Sequence, residues 1–384
     1  MFPTVSHFIS YLFGIEVPLP FNTFGVFVAL AFVAGYWAFT QELKRKEALG
    51  ILKPVKHVTT IGEPASTWEL ISNGLFGFLI GYKLIYALVN YKMFVADSQT
   101  VLLSTKGNLL GGLGLAALFV YWSYKEKQKT KLPTPKKVEV TVRPHELMSS
   151  MIVWAAVWGF LGAKIFDNLE HWDTFIQDPI GGLLSFSGLT FYGGLICGGA
   201  AVLYIANKNG IKPLHMLDVG GPGMMLAYGV GRIGCHLSGD GDWGIDNLNP
   251  KPFNWLPDWL WAYTYPNNVA GEGNPIPGCV GRFCNELPNP VYPTPIYEVI
   301  AALLIFWFLW KIRTKINIPG MMFGIYLMFS GVERFLVELI RVNSKYTVAG
   351  ISFTQAELIS LILFVAGALL VGNALKNKDK LASY

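Results

Sequence analysis

The segment from Leu226 to Gly244, LAYGVGRIGCHLSGDGDWG, joins an apolar run to a short polar stretch with five glycines after residue 230. Because both flanks are apolar enough for membrane helices, a guanidinium at this boundary is costly unless an anion compensates it. Glycines let the backbone approach such an anion closely. We therefore predict a phospholipid-headgroup site at the outer mouth of a membrane-embedded cavity. The polar side chains available there are those of Arg232, Cys235, His236, Ser238, Asp240 and Asp242.

The composition indicates a membrane protein. Of the 384 residues, 52% are hydrophobic and 14% are charged, whereas soluble globular proteins contain about 25% charged residues. The formal charge of +5 does not indicate nucleic-acid binding, because the basic residues lie in short runs between apolar spans. No basic run precedes the first apolar residues, so we expect no cleaved signal peptide. We expect an all-α polytopic membrane protein.

Apolar spans of about 17–22 residues, long enough to cross a bilayer as helices, recur along the chain. Segments between alternate spans hold twenty Lys and Arg on one side and six on the other. Since positively charged loops remain cytoplasmic, we expect the N-terminus outside and the C-terminus inside. The nine predicted spans are 22–40, 69–89, 109–124, 147–166, 190–206, 214–231, 295–311, 320–338 and 353–374.

An internal repeat occupies the first half of the chain. ELIS at 69–72 recurs as ELMS at 146–149, and LLSTKG at 102–107 recurs as LLSFSG at 183–188. Matches in the same order across two spans and a loop favour a duplicated helical hairpin. The alternative is a chance likeness between helices rich in Gly and Leu. A hairpin adds two crossings, so its insertion at 69–124 leaves the later topology unchanged.

The segment 245–293 differs from the rest, since it contains nine prolines and three tryptophans. Prolines at this density favour irregular structure, and tryptophans favour the membrane interface. We predict a small cap over the outer mouth. On an oxidising face, Cys279 and Cys284 within it can close a disulfide. Metal binding is the alternative, but no local histidine or second cysteine pair supports it, and we expect no metal.

Three further motifs contain candidate site residues. Arg334, Glu338 and Arg341 are spaced i, i+4 and i+7, so they share one helical face. Arg232 and Arg334 together could clamp one phosphate from two helices, the alternative being a structural ion-pair network. YPTPIYE at 292–298 places Tyr297 and Glu298 near the outer face, and FYGGLI at 191–196 places Tyr192 at the start of a span.

These motifs resemble those of the prolipoprotein diacylglyceryl transferases, a family of bacterial plasma-membrane enzymes. The resemblance covers roughly 1–45 and 143–374, so the hairpin at 69–124 lies outside the seven-helix plan of the family. It rests on GRIG with the following GD and WG at 231–244, PTPIYE at 293–298, RFLVELIR at 334–341 and FYGGLI at 191–196. Five positions depart from the family pattern: Tyr192 and Tyr292 replace histidines, Cys235 replaces an asparagine, Asp240 replaces a glutamate and Phe24 replaces the tyrosine of the first span.

The resemblance implies transfer of the diacylglyceryl group of phosphatidylglycerol to the lipobox cysteine of a prolipoprotein, with release of glycerol phosphate. It implies no cofactor, and its partners are phosphatidylglycerol, prolipoprotein signal peptides and membrane lipids. The alternatives are a paralogue that only binds or transfers lipid headgroups, and a small-solute transporter. A transporter built on paired repeats would show the duplication across both halves of the chain, which this sequence does not.

The candidate residues and chain units follow from these motifs. The catalytic candidates are Arg232 and Arg334 for the phosphate, with His236, Asp240 and Tyr192 as possible proton acceptors. The substrate-binding candidates are Arg232, Arg334, Gly231, Gly234, Gly239, Glu338, Arg341, Tyr297 and Glu298. The expected units are an N-terminal segment with the first helix at 1–68, the inserted hairpin at 69–124, core helices at 143–244, the cap at 245–293 and C-terminal helices at 294–384.

Overall fold

The computed structural model describes residues 1–15, 17–184, 190–348 and 350–382. This part of the chain is mostly helical, with three two-stranded antiparallel sheets. The helices are α1 (Val5–Phe13), α2 (Thr23–Ala48), α3 (Thr67–Val89), α4 (Tyr91–Ala96), α5 (Ser98–Leu103), α6 (Leu109–Thr130), α7 (Met148–Glu170), α8 (Trp172–Gln177), α9 (Pro179–Leu184), α10 (Phe191–Lys208), α11 (Pro213–Ser238), α12 (Asp258–Trp261), α13 (Thr294–Ile312), α14 (Met321–Glu338), α15 (Gln355–Lys376) and α16 (Lys378–Ala382). The strands are β1 (Val55–Ile61), β2 (Lys136–Val142), β3 (Asn274–Pro275), β4 (Asn285–Glu286), β5 (Lys345–Val348) and β6 (Ile351–Thr354).

Within the described residues, five helices are long and apolar enough to cross a membrane. This agrees with a polytopic membrane protein. Helices α6, α10, α11 and α14 overlap the other four predicted spans. Length and apolarity therefore identify five of the nine predicted spans. The five are Thr23–Ala48, Thr67–Val89, Pro144–Glu170, Thr294–Ile312 and Gln355–Lys376.

Two helical hairpins share one plan. In the first, α3 to α6 contain 23, 6, 6 and 22 residues. In the second, α7 to α10 contain 23, 6, 6 and 18 residues. At matching places in the two tips, Asp97 accepts a hydrogen bond from the backbone N–H of Thr100 and Asp178 accepts one from Gly181. These matches favour duplication over chance likeness, although residues 185–188 of the repeated loop lie outside the described residues.

In each hairpin, the two long helices contact one another at glycines in corresponding positions. In the first hairpin, a Cβ atom on Gly81 would collide with the carbonyl oxygen of Gly111. In the second, a Cβ atom on Gly162 would collide with the carbonyl oxygen of Gly193. Small residues allow two helix backbones to approach this closely, which is the usual basis of packing in membranes. The first hairpin is joined to the rest by the β1–β2 ribbon, in which Val55 pairs with Val142.

Helix α11 lies at the centre and packs against α2, α13 and α14. Its N-terminal half belongs to the main apolar core, which it builds with α2 and α7. Glycines allow its neighbours to approach, since a Cβ atom on Gly223 would collide with the ring of Phe39. The fully buried residues of this core are Leu43, Leu52, Met148, Met151, Ala206, Ile211, Met216 and Val219.

A buried carboxylate aligns α11 with α14. Asp218 of α11 accepts hydrogen bonds from the backbone N–H groups of Gly320 and Phe323, both at 2.9 Å. These groups lie at the start of α14, where N–H groups need an acceptor outside the helix. Arg232 follows Asp218 by 14 residues, and Arg334 follows Gly320 by 14 residues. At 1.5 Å per residue each arginine is about 21 Å farther along its helix, so both reach the same level.

The hairpin contact can be tested by adding a single methyl group. Gly81→Ala forces α3 and α6 apart and should lower the free energy of unfolding by about 1–3 kcal/mol. Gly114→Ala is the matched control, because a Cβ atom there meets nothing within 4 Å, and it should leave stability unchanged or raise it by up to about 1 kcal/mol. Thermal unfolding of the purified protein in detergent measures both. Equal stability of the two variants would contradict the close contact.

Candidate functional site

Three arginines converge on one buried carboxylate at the end of the helix bundle far from Asp218. The Nε atom of Arg232 lies 2.7 Å from Oε2 of Glu298, whose side chain is 0% exposed. From the other side, Nη1 of Arg334 lies 3.6 Å and Nη1 of Arg341 lies 3.2 Å from Oε1 of Glu298. Glu298 therefore joins α11, α13 and the end of α14. Arg232 and Arg334, predicted from distant motifs, do meet at one place.

Two further carboxylates complete the cluster. Asp242, in the loop after α11, forms ion pairs with both Arg232 and Arg341. Glu338 pairs with Arg334 at 2.6 Å and accepts a hydrogen bond from Asn343 at 2.7 Å. A buried charge is tolerated only when it is paired and hydrogen-bonded, and here three positive charges meet three negative ones. We call these six residues the arginine cluster: Arg232, Glu298, Arg334, Arg341, Asp242 and Glu338.

The cluster forms the ion-pair network that the sequence left open as an alternative to phosphate binding. The two interpretations are compatible, because the arginine side chains are not sealed from solvent. Arg232 is 17% exposed and Arg334 is 22% exposed, whereas Glu298 and Glu338 are 0% exposed. The carboxylates thus support the arginines from the protein side, and part of each arginine side chain remains exposed.

The polar stretch after Gly231 is more helical than the sequence indicates. Helix α11 continues to Ser238, so Gly231 and Gly234 lie inside it. A Cβ atom on Gly234 would lie 2.7 Å from Cβ of Phe27, which shows that this glycine serves helix packing against α2. Gly239 ends the helix with φ of 65°, a conformation that favours glycine. The predicted backbone cradle for an anion is therefore absent at Gly231 and Gly234, because a helix already uses their N–H groups.

The loop after α11 is tied to the starts and ends of two other helices. The hydroxyl of Thr294, at the start of α13, donates to the backbone oxygen of Asp242 at 2.5 Å. The backbone N–H of Ile245 donates to the oxygen of Ile340 at 2.9 Å, beyond the end of α14. A Cβ atom on Gly244 would collide with that same oxygen, so the close passage requires glycine. These contacts place Asp242 against the guanidinium groups.

His236 lies in the cap rather than among the arginines. Its Nδ1 atom is 3.2 Å from the hydroxyl of Tyr265, and its ring packs against Trp259, Tyr263 and Tyr265. The side chain is buried in this aromatic cluster. His236 points along the face of α11 that holds the cap. This placement favours a structural role for His236 and separates it from the predicted role of proton acceptor.

Tyr192 and Asp240 lie closer to the arginines. Tyr192 interacts electrostatically with Arg334, Glu338 and Arg341. Asp240 accepts a hydrogen bond from the backbone N–H of Asp242 at 3.3 Å. Burial raises the pKa of the Asp240 carboxyl, and repulsion from the Asp242 carboxylate raises it further. Asp240 therefore lies next to a residue of the arginine cluster, and Tyr192 lies within electrostatic range of the cluster.

Cys235 lies beside the same groups. Arg232 donates a weak hydrogen bond to its Sγ atom at 3.7 Å. The sulfur and carboxylate oxygens of Asp240 and Asp242 lie within 4.8 Å of one another, a spacing that a metal ion could bridge. Because Arg232 and Arg341 already neutralise Asp242, their positive charge opposes a cation at this point, and we assign no metal to it.

The remaining candidates secure the cap. The hydroxyl of Tyr297 donates to the backbone oxygen of Leu260 at 2.9 Å, so Tyr297 ties α13 to the cap and not to the cluster. A disulfide joins Cys279 to Cys284 within the cap. Between them, Arg282 pairs with Asp97 at 3.4 Å, which connects this loop to the tip of the first hairpin.

Sequence reasoning missed two polar residues at the site, Glu333 and Tyr228, and it named Asp242 in the opening stretch without assigning it a role. Glu333 is buried next to Arg334, and an ionisable residue in an apolar helix is itself a signal. Tyr228 lies one turn before Arg232, whose guanidinium carbon is 5.2 Å from the centre of the tyrosine ring. That i, i+4 spacing could have identified the pair.

Comparison with known proteins now places the chain. The model of the family described as prolipoprotein diacylglyceryl transferase matches residues 113–372. The chain belongs to this family. The matched range contains the whole arginine cluster and the cap, and it begins inside α6, so most of the first hairpin precedes it.

Curated relatives support the same assignment at moderate identity. A protein of Staphylococcus saprophyticus is 28% identical over 234 residues, which cover 59% of this chain and 74% of the relative. A protein of Dehalococcoides mccartyi is 28% identical over 260 residues, covering 66% and 83%. Both are named phosphatidylglycerol–prolipoprotein diacylglyceryl transferase. A Clostridium perfringens relative, named as transferase 2 of the same kind, is 28% identical over 230 residues.

The central position of Glu298 makes a stability prediction. Glu298→Ala leaves three partly buried guanidinium groups without their shared partner and should lower the free energy of unfolding by about 3–5 kcal/mol. Asp246→Ala is the control. Asp246 lies four residues after Asp242 in the chain, but its carboxylate is exposed and accepts a hydrogen bond from Asn289. The control substitution should change the free energy of unfolding by no more than about 0.5 kcal/mol. Thermal unfolding in detergent distinguishes them, and equal losses would refute a central role for Glu298.

Proposed function

We propose that this protein transfers the diacylglyceryl group of phosphatidylglycerol to the lipobox cysteine thiol of prolipoproteins, forming a thioether and releasing glycerol phosphate. Membership of the family and the printed names of the relatives support this activity. The observation that carries it in this chain is the meeting of Arg232 and Arg334 at Glu298. Two guanidinium groups from separate helices are suited to hold one phosphate by paired hydrogen bonds.

The chemistry requires cations at the leaving group. In the reaction, the bond between a glyceryl carbon and a phosphate oxygen breaks, and a bond between the thiol sulfur and that carbon forms. Negative charge grows on the departing phosphate, so arginines that bind it more tightly in the transition state lower the barrier. We assign this role to Arg232 and Arg334, with Arg341 beside them. Glu298 and Glu338 hold the guanidinium groups in position from within the protein.

The thiol must lose its proton, because the thiolate is the attacking form. We assign this proton to Asp240, which lies close to the sulfur of Cys235 and to the Asp242 carboxylate, on the side of the arginines. Its raised pKa brings it nearer to the pH at which a carboxylate accepts a proton effectively. Tyr192, near Arg334 and Glu338, is the second candidate.

We propose that the protein lies in the bacterial plasma membrane with all nine long helices as crossings, the N-terminus outside and the C-terminus cytoplasmic. The twenty Lys and Arg on one side against six on the other support this orientation. The disulfide in the cap fits the oxidising outer face. We also propose the chain units given by the sequence, with 69–124 as an insertion and 245–293 as the cap.

A lipid-binding paralogue without transferase activity is the second candidate, because Tyr192, Tyr292 and Cys235 depart from the family pattern. The transfer assay distinguishes this paralogue from the enzyme, and substitution of Arg232 and Arg334, which we call the phosphate clamp, tests the role of these arginines. Arg232→Lys and Arg334→Lys keep the charge but lose the planar fork, and each should lower kcat/KM by about 10²–10³-fold. The measurement is transfer of labelled diacylglyceryl from phosphatidylglycerol to a lipobox peptide by the purified protein.

Arg282→Lys is the control for the phosphate clamp. Arg282 lies in the cap, its side chain is 58% exposed, and its partner Asp97 belongs to the first hairpin. The control should transfer at the rate of the unmodified protein. If the unmodified protein binds phosphatidylglycerol without transferring it, the paralogue interpretation replaces the enzyme.

The assignment of Asp240 predicts a pH dependence. Because its pKa is raised, the carboxyl keeps its proton to a higher pH than an ordinary aspartic acid near 3.9, and transfer should fall as the pH drops through that raised value. Asp240→Asn should lower the rate by about 10²–10⁴-fold and remove this acid limb from the pH profile. Asp246→Asn should change neither. An acid limb that persists in Asp240→Asn would assign the proton to another group.

A further inference from the structure

Asp242 differs from the other two carboxylates of the arginine cluster. Glu298 and Glu338 belong to transmembrane helices and their side chains are 0% exposed. Asp242 belongs to the loop between α11 and the cap, and its side chain is 30% exposed. It is therefore the most exposed of the three carboxylates that pair with the arginines.

The two carboxylate oxygens of Asp242 are divided between two arginines. Oδ2 pairs with Arg232 and Oδ1 pairs with Arg341. A phosphate ester offers the same chemistry, with two or more anionic oxygens that can accept from two guanidinium groups at once. Since Glu298 already pairs with both arginines, Asp242 uses the remaining N–H groups that an incoming phosphate would need.

Charge balance explains why the Asp242 carboxylate and a phosphate would not both pair with the arginines. With Asp242 in place, three arginines face three carboxylates, so the cluster has no positive charge left for a phosphate. A phosphate bound beside Asp242 would bring like charges together in a poorly solvated place, which costs free energy. Without Asp242, the three arginines would pair with only the two helix-borne carboxylates, which leaves more positive charge for the ligand.

The carboxylate of Asp242 can leave the arginines without moving a helix. Gly239 and Gly241, on its N-terminal side, have φ values of 65° and 100°, in the region that glycine adopts easily. The backbone of Asp242 itself is held by the hydrogen bond from the hydroxyl of Thr294 and by its own N–H bond to Asp240, so the displacement falls mainly on the side chain. The helix-borne carboxylates have no comparable freedom, because moving them requires moving α13 or α14.

We propose that the Asp242 carboxylate occupies the place of the substrate phosphate in the unliganded site, and that a phosphate ester must displace it to bind. This inference rests on the proposed function, since it assigns the phosphate to Arg232. Asp242 is then a positioning residue that competes with the ligand. It weakens binding of the lipid phosphodiester, and it also helps to expel the glycerol phosphate that the reaction leaves behind.

Binding of two phosphate esters tests the proposal. The ligands are phosphatidylglycerol and free glycerol phosphate, each added to the full-length protein in maltoside detergent micelles that contain no other phosphate. Asp242→Asn keeps the shape of the side chain but removes its charge, and it should lower the Kd for both ligands by about tenfold. Asp246→Asn, an exposed carboxylate four residues away, should leave both Kd values unchanged. An unchanged or higher Kd for phosphatidylglycerol in Asp242→Asn overturns the proposal.

The two ligands separate a lipid site from a site for free phosphate esters. If Asp242→Asn binds only glycerol phosphate more tightly, the carboxylate competes with the product and not with the lipid. The proposal that phospholipid displaces Asp242 is then wrong. A second measurement does not depend on the variant being as stable as the unmodified protein. Asp242→Asn alone should lower Tm, and saturating phosphatidylglycerol should raise Tm by more in Asp242→Asn than in the unmodified protein. Equal ligand-induced shifts count against the proposal.

A transfer assay run in parallel separates this inference from the proposed function. If the unmodified protein transfers no diacylglyceryl group while Asp242→Asn gains affinity for phosphatidylglycerol, the enzyme assignment fails and the competition stands. If transfer occurs but Asp242→Asn gains no affinity, the enzyme assignment stands and the competition is wrong. Under the proposal, Asp242→Asn also becomes more sensitive to inhibition by glycerol phosphate, because the competitor that expels this product has been removed.

Discussion

The rest of the structure depends on one interaction, the shared contact of three guanidinium groups with the buried carboxylate of Glu298. An arginine in this environment is costly unless it is paired, so the helices that carry Arg232 and Arg334 must be held against α13. The same pairing pre-orients the guanidinium groups, which reduces the reorganisation needed when a phosphate arrives. The same ion pairs therefore stabilise the fold and orient the arginines for the proposed function.

That contact exists only because the helices are aligned at their far ends. Asp218 caps the start of α14, and equal numbers of residues then bring Arg232 and Arg334 to one level. An error of a single residue in this alignment would rotate one arginine by about 100° around its helix and away from the partner. The glycines of α11 serve the same end, since they let α2 and α14 approach closely enough to make the register unique.

The two hairpins illustrate how a membrane fold accepts an insertion. Each closes on its own glycine contacts, so the added copy needs little support from the core, and the β1–β2 ribbon joins it without disturbing α2 or α7. The two copies differ in the residue that lies near the candidate site. The second copy presents Tyr192 near the arginines, while the corresponding position of the first copy is Leu110, which is exposed. A hairpin can thus be duplicated as a packing unit without duplicating the site.

The sequence by itself determined the membrane class, the positions of the long helices, the repeat and the two arginine motifs, because apolar length, internal matches and charge in apolar helices are local signals. It could not determine that α11 extends to Ser238, that His236 turns into the cap, or that Asp242 reaches two arginines. Those depend on contacts between residues far apart in the chain, such as that between Asp242 and Arg341. A side chain's direction at a helix end is decided by what packs beside it, and only the tertiary structure contains that information.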